Sequence, residues 1–162
     1  MNTNHYNQCV HDYSDKLYRF ALSLLSHEMD AEDVVQGVYE RLWKRHQNVE
    51  YGAVKTYLFT SVHRACIDQF RKRKTEREVK DRLIISEPYP VDKQMEDRQY
   101  IEQLLKRLSE KHKSLILLRD YEGYSYDEIA EITGSTLAQV KINLFRARKK
   151  LQFFLTDCVA QN

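Results

Sequence analysis

The chain has 162 residues, 42% hydrophobic and 31% charged, with a formal net charge of +2, a length that holds one ordinary domain or two small ones. Only four glycines and two prolines occur, too few for a turn-rich β fold, so an all-α chain of long helices is expected. No apolar run approaches the ~18 to 20 residues needed to cross a bilayer, and the opening MNTNHYNQCVHDYSD lacks the charged-then-apolar pattern of a secretory signal, so no membrane insertion and a cytoplasmic location are expected.

In chain order, a first helix is expected around residues 10–26, where Tyr13, Leu17, Phe20, Ala21, Leu24 and Leu25 recur at helical spacing. Asp30 is a good N-cap for the next helix, with Asp33 in its first turn suiting the positive end of the helix dipole. That helix runs to about His46 and buries Ala31, Val34, Val35, Val38 and Leu42. Gly52 breaks the chain, and a third helix is expected over Ala53 to Arg73, with Leu58, Phe59, Val62, Cys66 and Phe70 inward and a terminal RKRK. Residues 75–99 have mixed charge, no sustained period and both prolines, Pro88 and Pro90, which reads as a flexible linker. Helical spacing resumes at Ile101, Leu104, Leu105 and Leu108, and a short helix holds Leu115, Ile116 and Leu118. Ser125 and Glu128 then form an S-x-x-E capping box, Ile129 and Ile132 point inward, and Gly134 stops the helix. The last helix starts at Thr136, with Gln139 completing a second box, and continues to about Phe154. The fold expected is two small helical domains, residues 1–74 and 100–162, joined by the linker.

Charge is segregated along this plan. Residues 28–40 carry Glu28, Asp30, Glu32, Asp33 and Glu40 and no Lys or Arg. Residues 63–74 carry Arg64, Arg71, Lys72, Arg73 and Lys74 against Asp68 alone. Residues 135–152 carry Lys141, Arg146, Arg148, Lys149 and Lys150 and no acid. Two basic faces point to nucleic acid, and the acidic face to a different partner. The three cysteines, Cys9, Cys66 and Cys158, lie far apart with no CxxC pair, so free structural thiols are expected.

Two short helices around a tight glycine turn read as a helix-turn-helix. At ~100° per residue, Leu144, Ala147 and Leu151 of the last helix fall within about 40° of Val140 and form its buried stripe with it. Ala138, Ile142, Phe145, Arg146 and Lys149 lie opposite, with Gln139 and Lys141 at the edges. Such a face suits the major groove: cations meet guanine or phosphate, amides meet adenine, and apolar groups meet the thymine methyl.

The segment YEGYSYDEIAEITGSTLAQVKINLFRARKKL resembles region 4 of extracytoplasmic-function (ECF) sigma factors, whose usual wording is "EGLSYEEIAE", a turn, then "VGTVKSRLHRARKKL". DAEDVVQGVYERLW resembles regions 2.1–2.2 of the same family, and YLFTSVHRACIDQFRKRK regions 2.3–2.4. The resemblance implies an alternative sigma factor that binds core RNA polymerase and directs promoter recognition, melting and initiation. Its partners would be the largest-subunit clamp helices and flap region of the polymerase, the −10 and −35 promoter elements, and an anti-sigma factor. No cofactor, metal or catalytic residue is implied.

Residue by residue, the resemblance places Asp33, Gln36, Glu40 and Trp43 at the polymerase, and Arg64, Arg71, Lys72, Arg73 and Lys74 at the −10 element. Tyr57 and Phe59 are in reach of bases for stacking, with Phe59 better suited to the core. At the −35 element it places Thr136, Gln139, Lys141, Ile142, Asn143, Phe145, Arg146, Arg148 and Lys149. The chain departs from the family wording at Gly37 (usually an acid), Arg64 (often Asn), Ile142–Asn143 (usually Ser-Arg) and Phe145 (often His). Two other readings stand beside this one. A helix-turn-helix regulator independent of polymerase explains residues 100–152 and leaves the acidic helix and RKRK without a role. An enzyme is disfavoured, because His27, Glu28, Asp30, Glu32 and Asp33 lack H-E-x-x-H spacing and no glycine-rich phosphate loop occurs.

Overall fold

A computed structural model describes residues 1–80 and 97–160, with side chains described over 1–76 and 99–157. The described residues are mostly helical and divide into two compact units, one of Met1–Arg73 with Ala130–Gly134 and one of Lys74–Ile129 with Ser135–Asn162. None of the described helices is long and apolar enough to cross a membrane.

The first unit holds α1 (Thr3–Leu25), α2 (Glu28–Arg45) and the start of α3 (Val54–Lys80). α1 begins earlier than its apolar stripe because Asn2 caps it, its side-chain oxygen accepting the His5 N–H at 2.8 Å. The helix ends where Ser26 takes a left-handed φ of 55° and donates its N–H to the Leu22 carbonyl. The chain is then extended at His27, so α2 starts at Glu28 and the N-cap is His27, not Asp30. The imidazole Nδ1 accepts the Asp30 N–H at 3.4 Å, a weak cap, and the Asp30 carboxylate is left for another partner. Two 3-10 turns, His46–Asn48 and Tyr51–Ala53, lead into α3.

α1 packs along α2, and Leu17, Phe20, Ala21, Val38, Leu42, Leu58, Phe59 and Val62 form a core that is almost entirely closed to water. Phe20 and Phe59 meet at 5.6 Å between ring centroids, a separation favoured by their quadrupoles. The Tyr39 hydroxyl is inside, donating to the Cys9 carbonyl at 3.3 Å and lying 3.2 Å from Ser14 Oγ. Burial pushes its ionisation up to about 12, so it is a neutral structural donor. Cys9 and Cys66 are buried free thiols, and burial pushes Cys66 up to about 12, far from thiolate chemistry.

α3 does not stop at Arg73. It continues through TEREVK to Lys80, a stretch without glycine or proline. The start of the expected linker is therefore helical, and its residues 81–96 lie outside the described residues.

The second unit holds α4 (Asp97–Lys106), α5 (Glu110–Ile116), the first half of α6 (Tyr126–Thr133) and α7 (Leu137–Ala160). Ser109 caps α5 by accepting the His112 N–H. After Ile116 the chain widens into a π-helical turn, Leu117–Tyr121, closed by the Glu122 N–H on the Leu117 carbonyl. α7 packs on α5 and α4, and Leu104, Leu105, Leu115, Leu118, Val140 and Leu144 are buried.

Candidate functional site

α6 and α7 are joined by Gly134, Ser135 and Thr136. Gly134 adopts φ 67°, a left-handed conformation that a side chain would strain, and it ends α6 sharply. Both capping boxes form. The Ser125 N–H donates to Glu128 Oε2 and the Glu128 N–H to Ser125 Oγ, each at 3.2 Å. The Thr136 N–H donates to Gln139 Oε1 at 2.9 Å and the Gln139 N–H to Thr136 Oγ1 at 3.2 Å. Thr136 and Gln139 therefore fix the start of α7 as well as lying at its exposed end.

α7 turns Val140, Leu144 and Ala147 inward, with Leu151 half-buried. Outward it shows Lys141, Arg146 and Lys149, together with Ile142 at 48% and Phe145 at 59% exposure. The Lys149 ammonium lies over the Phe145 ring at 4.8 Å, a cation–π contact that keeps both side chains on one face. Two residues assigned to DNA by resemblance are placed otherwise. Asn143 is buried, at 8% exposure, so it is corrected to an interior residue. Burial, then Lys150, Lys111 and Arg146, pull His112 below its ordinary range, which keeps a further positive charge out of this packing. Arg148 is held by Asp120, its Nη2 donating to Oδ1 at 2.7 Å.

Arg64, Arg71, Lys72 and Lys74 are exposed along the latter part of α3. Arg73 is not part of that open row. Its Nη1 donates to the Leu25 carbonyl at 3.3 Å, and its Nη2 pairs with the Asp30 carboxylate. The arginine expected at a phosphate thus ties the basic end of α3 to the α1–α2 junction. Phe59 is fully buried, as its apolar neighbours indicate, and Tyr57 is half-buried.

On α2, Asp33, Gln36 and Glu40 are exposed. Glu40 meets Lys44 at 3.0 Å, an exposed pair of small energetic weight. Trp43, 44% exposed, packs edge-on to Tyr6 at 4.9 Å and stacks on His46 at 4.7 Å. Sequence reasoning missed Tyr6 and His46 as the supports of Trp43. Tyr6 lies ahead of the apolar stripe that marked α1, and the Asn2 cap was the signal that could have found it.

The model described as Sigma-70 region 2 matches residues 9–76, and that described as Sigma-70, region 4 matches residues 98–151. RNA polymerase sigma factor SigV of Bacillus subtilis is 30% identical over 149 residues, covering 91% of this chain and 89% of that protein. ECF RNA polymerase sigma factor SigM of the same organism is 28% identical over 147 residues, covering 86% and 88%. Among solved structures, the sigma factor RpoE in complex with the anti-sigma factor NepR from Bartonella quintana superposes with a TM-score of 0.77 at 30% identity, covering 93% of this chain and 96% of that one. CnrH in complex with the cytosolic domain of CnrY gives a TM-score of 0.72 at 22% identity, a likeness of fold.

Proposed function

Because the chain belongs to the sigma-70 family, among the ECF RNA polymerase sigma factors, we propose that α2 docks on core polymerase, α3 holds the −10 element and α7 reads the −35 element. Its function is that of an alternative sigma factor in transcription initiation. It works by binding rather than catalysis, in the cytoplasm beside the polymerase, and an anti-sigma factor is a partner by analogy with RpoE and NepR.

The observation that carries the assignment is the outer face of α7. Ile142 and Phe145 are exposed there between Lys141, Arg146 and Lys149, where they add nothing to the core. Apolar groups flanked by cations match a thymine methyl bordered by phosphates. Arg146 reaches guanine or phosphate, and Lys149 a phosphate. On α3, Arg64, Arg71, Lys72 and Lys74 supply the phosphate contacts. Asp33, Gln36 and Glu40, with Trp43 at their edge, form a polar, acidic face with an aromatic rim, a sound protein-binding surface. The functional domains are residues 1–74 and 100–162, with 75–99 between them, so limited proteolysis should cut first within 75–99.

Run-off transcription with core polymerase on genomic promoters tests the whole reading. Start sites that depend on this chain, lost in Arg146→Ala and in the double variant Asp33→Ala with Gln36→Ala, support it. DNA binding that persists without polymerase, with no run-off product, would mean a polymerase-independent regulator. The α2 assignment fails if the double variant binds core polymerase as tightly as the parent.

A further inference from the structure

We propose that Asp120 is a positioning residue for promoter recognition: through Arg148 it sets the seating of α7, and Arg148 itself is not a DNA contact. The proposal rests on α7 being the −35 helix.

Arg148 Nη2 donates to Asp120 Oδ1 at 2.7 Å, across 28 residues of chain. Asp120 lies in the π-helical turn Leu117–Tyr121. The neighbouring Arg119 donates from Nη1 to the Tyr124 carbonyl at 2.8 Å and lies over the Tyr126 ring at 4.7 Å. Tyr126 opens α6, and Asp120 is the carboxylate that faces the Arg148 guanidinium. Four side chains thereby join the turn after α5, the start of α6 and the middle of α7. These are the three segments whose mutual angle decides how a helix-turn-helix meets a groove.

Two further points separate Arg148 from the reading face. On the ~100° wheel it lies about 80° from Val140, whereas Phe145, Lys149 and Ile142 lie at about 140° to 200°. Its charge is already balanced by a carboxylate, so it contributes little to the counterion release that phosphate contacts produce. The pair is part-exposed on both sides, and such a pair adds little to stability. Its consequence is geometric, because a recognition surface has to be held within about 0.5 Å of its productive placement.

The test uses the full chain with core polymerase and a labelled promoter fragment found by run-off transcription. Binding is read by anisotropy at several salt concentrations, below the thermal midpoint of every variant. Asp120→Asn should weaken binding on the order of tenfold with an unchanged salt slope. Asp120→Arg and Arg148→Asp should each weaken it, and the double variant carrying both should return most of the affinity, because the pair is rebuilt in reverse. A double variant as weak as Arg148→Asp, with a salt slope shallower by about one unit, would show Arg148 at a phosphate and overturn the proposal. So would Asp120→Asn that melts earlier yet binds as tightly as the parent. If Arg146→Ala and a scrambled −35 element both leave binding untouched, the α7 reading fails first and the proposal with it.

Discussion

The exposed end of α3 and the outer face of α7 are both basic, but they differ in what lies between the cations. Along α3, Arg64, Arg71, Lys72 and Lys74 are exposed, while Phe59, Val62 and Cys66 are shut inside and Ile67 and Phe70, which lie between the cations, are half-buried. Along α7, Ile142 and Phe145 stand in the open among Lys141, Arg146 and Lys149. Cations alone bind any phosphate backbone, with strong salt dependence and no sequence information. Exposed apolar groups add a reason to prefer one base edge over another. The two faces also share a device, since on each an arginine pairs with an aspartate of its own unit: Arg73 with Asp30 and Arg148 with Asp120.

The contrast between the two phenylalanines gives the largest effect. Phe59→Ala should cost about 3 to 5 kcal/mol of stability, seen as a lowered denaturant midpoint. Phe145→Ala should move stability by no more than about 0.5 kcal/mol while weakening −35 binding. Equal losses of stability would erase the distinction between a packed ring and a presented one. His63 sharpens the same point for α3. Burial, and secondarily Arg64, lower its ionisation from 6.5 to about 4. Below 6.5 the unfolded chain binds a proton that the folded chain refuses, so stability falls as pH drops from 6.5 towards 4. The loss is up to about 3 kcal/mol, and urea titrations across that window should show it flattened in His63→Gln.

Smaller effects divide base reading from charge. Ile142→Ser should change preference at one base position by ~1 to 3 kcal/mol and leave the salt slope alone. Lys149→Ala should weaken all sequences alike and reduce that slope by about one unit. Uniform weakening by Ile142→Ser across a panel of −35 variants would make the two faces equivalent after all. The smallest effect concerns α2. Gly37 sits inside that helix with open space where a side chain would go, so Gly37→Ala should stabilise the first unit by about 1 kcal/mol. A thermal midpoint that stays put would mean that the unfolded chain gains as much.

The sequence by itself determined the elements and the outward face of α7. The apolar stripes, both capping boxes and the Gly134 turn are local patterns, set by spacings of three or four residues. The same ~100° step puts Asn143 about 60° from Val140, on the buried side; its assignment to DNA came from resemblance, and the wheel was the better guide. The helix start at His27 was missed because caps are ordinarily Ser, Thr, Asp or Asn, and Asp30 fits that rule while serving Arg73 instead. Only the tertiary structure decided which charges are engaged at home. Arg73 and Arg148 look like their basic neighbours in the chain, and their aspartates lie far along it. An ion pair of that kind depends on where packed helices bring their side chains, which the burial of Phe20 on Phe59 and the seating of α7 on α5 settle. Local periodicity carries no information about it.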